Sequence, residues 1–497
     1  MIEEDDDPSS AAHPEVTAAE VTALAEKALS SRNASLITLE KTVTALCDAY
    51  LLLDGREEEQ REVLRFLAGR GVDRTLLRRL AAEYAAAAAD ADAEAGQQQG
   101  LSRLEEELRE ALLPPYIWLF KRIGQLEGGV KFLVDLRAQL IPMTRQQGSP
   151  EETAALKQMN AQLRQLLGHW FSVGFLKLEQ VTWSSPCAML QKVSDYEAVH
   201  PMRNWTDLKS RVGPYRRCFV YTHRSMPGEP IVVLHVALTR GIPEKIASVV
   251  KHHRMVKRFS VDAVGGERSA GSSESVGAED TSTCDSAIFY SITSTQTGLQ
   301  GIELGTYLIK QAVKRLKEEL PGVAHFCTLS PIPGFRQWLL AAIKMSEAET
   351  GTEGDLFLPS ELDAFQDHFT AADRAQALGA VADSLRTSGW TADAELAGLL
   401  ERPLMRLCAR YLYLEKHRGN AANSVANFHL RNGAVLWRLN WRADMSARGM
   451  GNSCGVMVNY KYFVDDLEAN SSAYLETKEV KAGEQVLHLA SQCRLGT

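Results

Sequence analysis

The chain has 497 residues, 45% of them hydrophobic and 24% charged, with a formal net charge of -8. That length accommodates about two to four domains, and the acidic balance excludes bulk attraction to nucleic acid or to an anionic membrane. No apolar run approaches the roughly 20 residues that span a bilayer, and eight scattered cysteines form no Cys-x-x-Cys pair, so zinc-ribbon and thioredoxin chemistries are not expected.

Residues 1–15 read as a disordered acidic tail, with neither the apolar core of a secretory signal nor the arginines of a mitochondrial presequence. Residues 16–171 read as helical. Leu36, Leu39, Val43, Leu46 and Tyr50 recur at helical spacing, as do Val63, Leu64 and Leu67, then Leu76, Leu77 and Leu80. Leu104, Leu108 and Leu112 predict a helix that Pro114-Pro115 ends. Another helix fits 152–168, and the alanine-rich stretch 85–100, closing on Gly96-Gln97-Gln98-Gln99-Gly100, reads as a fraying end and a loop.

From residue 172 strand-like runs alternate with helices. Phe219–Thr222 and Ile231–Leu238 predict strands with Pro227-Gly228 as the turn between them. Ile288–Ile292, Val323–Leu329 and Ala434–Trp441 predict three more, and a helical block at about 358–418 interrupts them. Residues 259–285, rich in Ser, Gly and acids, read as a mobile insertion. The resulting class is α+β: a helical N-terminal domain, 16–171, followed by a mixed domain, 172–497.

Three segments carry candidate chemistry. In Gln300-Gly301-Ile302-Glu303-Leu304-Gly305-Thr306, a glycine-bearing turn opens a helix. Backbone N–H groups and the helix dipole favour an anion at such a place, although alone it is an ordinary strand–helix connection. In Leu329-Ser330-Pro331-Ile332-Pro333-Gly334, the first proline holds Ser330 extended and Pro333-Gly334 turns the chain. In Asn427-Phe428-His429-Leu430-Arg431-Asn432-Gly433, a histidine at a helix end is placed for proton transfer. Two basic clusters read as solvated or ion-paired surface: Lys251-His252-His253-Arg254 with Lys257-Arg258, and Arg203, Lys209, Arg211, Arg216 and Arg217.

Together with His200–Cys218, Gly228–Thr239 and Ala426–Phe463, these segments resemble the malonyl-CoA decarboxylase family over most of residues 172–470. The resemblance implies a GNAT-like acyltransferase fold for 172–497 and an oligomerisation role for the helical domain. It further implies a homo-oligomer, as a tetramer, acting on malonyl-CoA without metal or cofactor. In that fold a Gln/Arg-x-x-Gly-x-Gly/Ala loop holds the CoA pyrophosphate, which places Gln300, Gly301, Ile302, Glu303, Leu304, Gly305 and Thr306 at the substrate. Glu303 stands where the loop's middle glycine would be. A carboxylate there is repelled by pyrophosphate and is expected to face the reacting centre.

The resemblance also marks Ser330, His429, Glu303 and Tyr462 as catalytic, with Ser330 and His429 at the substrate. Ser330 is expected to orient the departing carboxylate and His429 to protonate C2. Glu303 is expected to tune His429, and Tyr462 to hydrogen-bond Ser330 or substrate. A GNAT acyltransferase acting on an amine and a non-catalytic malonyl-CoA sensor are the competing readings. An intracellular location is expected, the cytoplasm first, with peroxisome or mitochondrion open. Cys493-Arg494-Leu495 would be a loose peroxisomal tripeptide only without Gly496-Thr497.

Overall fold

Helices begin where the sequence supplies caps. Thr17 forms a capping box with Glu20 at the start of α1 (Ala18–Ser30). Ser149 caps α8 (Pro150–Trp170), which opens on proline and two glutamates. The computed structural model describes residues 16–31, 34–89, 95–146, 148–250, 279–302, 304–348 and 356–493. No helix among them is long and apolar enough to cross a membrane. The lysine- and histidine-rich cluster at 251–258 lies outside the described residues, as do the acidic tail 1–15 and Glu303.

The chain divides into two units. The first contains Met1–Leu176, His223–Glu229 and Ser294–Glu303. Its helices continue with α2 (Leu36–Leu51), α3 (Glu57–Gly69), α4 (Arg74–Ala89), α5 (Ala95–Ala111), α6 (Pro115–Ile123) and α7 (Gly129–Met143). The predicted stripes are the buried ones: Leu39, Val43, Leu46 and Tyr50 on α2, and Val63, Leu64 and Leu67 on α3. Gly96–Gly100, expected to be loop, lies inside α5. Glycine costs least in a helix's frayed first turn, and three glutamines of good propensity follow Gly96.

The second unit contains Lys177–Thr222, Pro230–Thr293 and Leu304–Thr497. The main sheet runs β1-β2-β3-β4-β5-β10-β6, with β9 also on β10. These strands are β1 (Leu176–Val181), β2 (Arg216–His223), β3 (Met226–Thr239), β4 (Ser286–Ser294), β5 (His325–Thr328), β6 (Ser330–Pro331), β9 (Val435–Asn440) and β10 (Met457–Tyr462). A separate pair, β7 (Lys416–His417) and β8 (Asn420–Ala421), stands apart. Pro227-Gly228 is not the β2–β3 turn, because it lies within β3; Arg224-Ser225 makes the turn. Proline is tolerated at a strand's beginning, and Gly228 relieves its positive φ of 73°.

β4 and β5 are parallel, Phe289 opposite Thr328, and α9 (Gly305–Glu319) joins them. This βαβ unit is the portion of the fold on which the expected acyl-CoA loop sits. β10 runs antiparallel to β5 and β6, Tyr462 opposite Phe326 and Val458 opposite Ser330. Alternation sorts the side chains. Phe289, Phe326, Val458, Tyr460 and Tyr462 join the large core cluster, while Ile288, Tyr290, Cys327, Leu329 and Met457 pack on a second one.

Two parts of the sequence reading are corrected here. Arg211 and Arg216 are buried, not solvated; each guanidinium lies 5.5 Å from the Tyr290 ring centroid. A guanidinium is weakly hydrated and stacks on aromatic rings, so burial costs it less than it would a lysine. Arg217 is also buried and pairs with Glu279 at 3.0 Å and Glu319 at 2.7 Å. Residues 259–278 of the expected insertion lie outside the described residues, but its end is built into the fold, since Glu279 meets Arg217 and Asp285 accepts from Gly241 N at 2.6 Å.

Gly433 has φ +80°, and a side chain there would start 2.0 Å from the Leu467 carbonyl oxygen. Gly433→Ala should therefore cost about 3 kcal/mol or more in urea unfolding. A loss under about 1 kcal/mol would mean that this turn relaxes freely.

Candidate active site

Two short elements bring the candidate residues together. Ser330 is extended in β6, directly after the interruption at Leu329. His429 lies near the end of α10 (Ser424–Arg431). Asn423 caps that helix, its Oδ1 accepting from Ala426 N at 2.9 Å, while its Nδ2 donates to Pro333 O at 2.8 Å. One asparagine thus ties the start of the histidine helix to the turn that follows Ser330. The other end is held by α11 (Leu467–Thr477), where Ser471 Oγ donates to Arg431 O at 2.6 Å.

The ladder between β5 and β10 changes character beside Ser330. Tyr460 N donates to the Thr328 side-chain Oγ1 at 3.1 Å, and Asn459 Nδ2 donates to Thr328 O at 2.7 Å. Side chains replace backbone partners here, which keeps the hydroxyl oxygen and carbonyl oxygen of Thr328 engaged in a fully buried position. Asn459 is held in turn by Asn440 Nδ2 at 2.8 Å.

A continuous hydrogen-bond chain results. Ser330 Oγ donates to Thr328 Oγ1 at 2.9 Å, and Ser330 Oγ lies 3.2 Å from His429 Nε2. His429 Nδ1 lies 2.7 Å from Tyr462 Oη. The hydroxyl proton of Ser330 goes to Thr328, so its oxygen accepts from His429, which places the imidazole proton on Nε2. Nδ1 then accepts from Tyr462. The ring stacks on Tyr460 with centroids 4.5 Å apart. Ser330 is 6% exposed, His429 3% and Tyr462 2%. Burial drives the His429 pKa down to about 3 and pushes the Tyr462 hydroxyl well above its ordinary range. At neutral pH the site holds a neutral imidazole and a neutral phenol.

Of the expected site residues, the structure gathers Ser330, His429 and Tyr462. Tyr462 meets His429 and not Ser330. Glu303 lies outside the described residues. Gln300 and Gly301 are exposed, Ile302 is half-buried, Leu304 is buried and Gly305 opens α9. α9 packs against the histidine helix α10. Thr328, Tyr460, Asn459 and Asn423 were not read from the sequence. The first two sit two residues before Ser330 and Tyr462 on their strands, so the two-residue repeat would have placed them on the same face.

A family model described as the malonyl-CoA decarboxylase C-terminal domain matches residues 174–494. The chain belongs to the malonyl-CoA decarboxylase family. The family's N-terminal domain matches residues 71–171. A relative from Anser anser anser, named malonyl-CoA decarboxylase, mitochondrial, is 46% identical over 411 residues, 83% of this chain and 76% of that protein. Its namesake from Mus musculus is 45% identical over 438 residues, 88% of this chain and 83% of that protein. The crystal structure of malonyl-CoA decarboxylase from Rhodopseudomonas palustris superposes with a TM-score of 0.74 at 31% identity, covering 95% of this chain and 99% of that one.

Within this decarboxylase-family chain, the depressed histidine has a consequence for stability. Its folded pKa of about 3 lies below the ordinary value of 6.5. Between those values the unfolded chain binds a proton that the folded one does not, so this group lowers stability as pH falls. His429→Gln should flatten the decline in unfolding free energy between about pH 6.5 and pH 4, measured by urea titration at stepped pH. An unchanged slope would mean that the imidazole is not held neutral.

Proposed function

We infer that Ser330 and His429 carry the malonyl-CoA decarboxylase chemistry of the family in this chain. The chain removes CO2 from malonyl-CoA and leaves acetyl-CoA. The 3.2 Å contact between Ser330 Oγ and His429 Nε2 at the end of β6 is the observation that carries the assignment.

The reaction breaks the C2–carboxylate bond. Its electron pair passes to the thioester carbonyl as an enolate, and C2 then takes one proton. The thioester itself accepts the electrons, so the protein's task is to orient and to protonate. In our reading Ser330 turns its hydroxyl from Thr328 to the malonyl carboxylate and holds it out of the thioester plane. The same carboxylate, brought beside His429, favours the charged imidazolium and draws its pKa up from the depressed free value. The imidazole takes up one solvent proton as the substrate binds, and the imidazolium then delivers its Nε2 proton to C2 as CO2 leaves, returning to the neutral ring. Tyr462 Oη meets Nδ1 in both states, donating to it in the neutral ring and accepting from it in the imidazolium, and so fixes Nε2 as the nitrogen that faces the substrate. Gln300 to Thr306, with the first turn of α9, take the CoA pyrophosphate.

His429→Ala and Ser330→Ala should each lower kcat by about a hundredfold or more while KM for malonyl-CoA changes little. Mass detection of acetyl-CoA from purified variants checks this. Turnover within about threefold of the parent would remove that residue from the mechanism. Release of free CoA thiol in place of acetyl-CoA would mark acyl transfer instead.

A homotetramer is our reading of the assembly, supported by the exposed apolar side chains Leu36, Ile37 and Leu51 on α2 and Leu52 just after it. Sedimentation at four times the chain mass is the expected result; a monomer at micromolar concentration would contradict it. Eight free cysteines favour a reducing intracellular compartment. The mitochondrial names of the relatives make that organelle the first to test by fractionation, ahead of cytoplasm and peroxisome.

A further inference from the structure

The loop proposed to take pyrophosphate is built on two arginines of the helical unit. Thr297–Leu299 form a 3-10 turn, continued by Gln300 and by Gly301 with φ +79°. Gly298 in this turn is pressed against α7, and a side chain there would start 1.8 Å from Val134 O. One helical turn along, Arg137 is 2% exposed. Its Nη1 donates to Gly298 O and its Nη2 to Gln300 O at 2.9 Å, while Nε donates to Asn160 Oδ1 on α8 at 3.0 Å. A planar guanidinium with three fixed donors sets position and orientation together, which lysine cannot do. The carbonyl and N–H of a trans peptide point opposite ways. Drawing Gln300 O inward therefore turns the N–H of Gly301 to the other side of the loop.

Arg164 of α8 stands on Gly301. Its Cδ and Nη1 lie 3.8 and 3.9 Å from where a side chain of that glycine would begin, and Arg164 is exposed. The charges are unbalanced. Every described partner of Arg137 is neutral, and its proton affinity is lowered to about 10 by burial and then by Arg164. No carboxylate among the described residues offsets either cation. Two like charges held together behind an exposed glycine turn are costly alone and favourable beside a polyanion.

We propose that α7 and α8 supply cations to a CoA phosphate site at the Gln300-Gly301 turn, with Arg164 a direct ligand of the pyrophosphate and Arg137 a positioning residue beneath the turn. All of these groups belong to one unit. The proposal rests on the reading that the turn at Gln300-Gly301 takes the CoA moiety.

The test compares three thioesters with the full-length enzyme: malonyl-CoA, malonyl-dephospho-CoA and malonyl-pantetheine, which lacks the nucleotide and pyrophosphate. Arg164→Gln should raise KM for the first two about tenfold, leave kcat within about twofold, and leave kcat/KM for malonyl-pantetheine unchanged. Arg137→Lys keeps the charge but loses the fork, and should raise the same two KM values with an unchanged pantetheine rate. An unchanged KM in Arg164→Gln, or an equal rise with malonyl-pantetheine, would overturn the role of Arg164. Sensitivity to Arg164→Gln with malonyl-CoA but not the dephospho compound would overturn the pyrophosphate assignment in favour of the 3′-phosphate. Normal kinetics in Arg137→Lys would overturn its positioning role. Failure of the underlying reading looks different: the parent enzyme itself would then use malonyl-CoA and malonyl-pantetheine with equal kcat/KM. Arg164 is on the surface, so its variant keeps the proposal testable even where Arg137→Lys fails to fold.

Discussion

The arrangement depends on holding one imidazole neutral and oriented inside a protein core. His429 is enclosed, stacked on Tyr460 and hydrogen-bonded at both nitrogens. Removing a cation's hydration in this way favours the uncharged form. A buried histidine with only one nitrogen satisfied would carry an unpaired polar atom and two nearly equivalent tautomers. Tyr462 on one side and Ser330 on the other remove that ambiguity. The proton therefore faces the serine, the side on which we propose that the malonyl group lies.

That orientation is assembled from elements far apart in the chain. Ser330 comes from the line of β5 and β6, Tyr462 and Tyr460 from β10, and His429 from a short helix capped by Asn423. The antiparallel register that sets Val458 opposite Ser330 also sets Tyr462 opposite Phe326. A slip of one residue would reverse the faces of every side chain on β10 and dissolve the hydrogen-bond chain. The substitution of Thr328 Oγ1 for a backbone acceptor links this register directly to Ser330. Fold and site are thus one structure at this point.

Much of this was legible in the sequence, and what was not has identifiable causes. The apolar stripes of α2 and α3 appear as written, because amphipathic helices advertise their buried face. β2, β3 and β4 follow from runs of β-branched and aromatic residues. β10 was missed as a strand: Asn459 and Lys461 give it the texture of a loop, and Asn459 is buried with its amide met by Thr328 O, Pro243 O, Asn440 and Arg438. Ser330, His429 and Tyr462 were named through family resemblance, but the partner of Tyr462 was not foreseen, since cross-strand register is invisible in one sequence. Arg211 and Arg216 read as surface because their compensation, the face of Tyr290, comes from a strand some 75 residues away.

The tautomer of His429 is the point on which the chemistry turns. Nitrogen-15 NMR of histidine-labelled protein, with the His429 resonances assigned by difference against His429→Gln, reads the protonation of each ring nitrogen directly. The account predicts a protonated Nε2 and an unprotonated Nδ1 in the ligand-free enzyme at neutral pH, unchanged on acidification to about pH 5. A doubly protonated ring at that pH, or a proton on Nδ1, would contradict it.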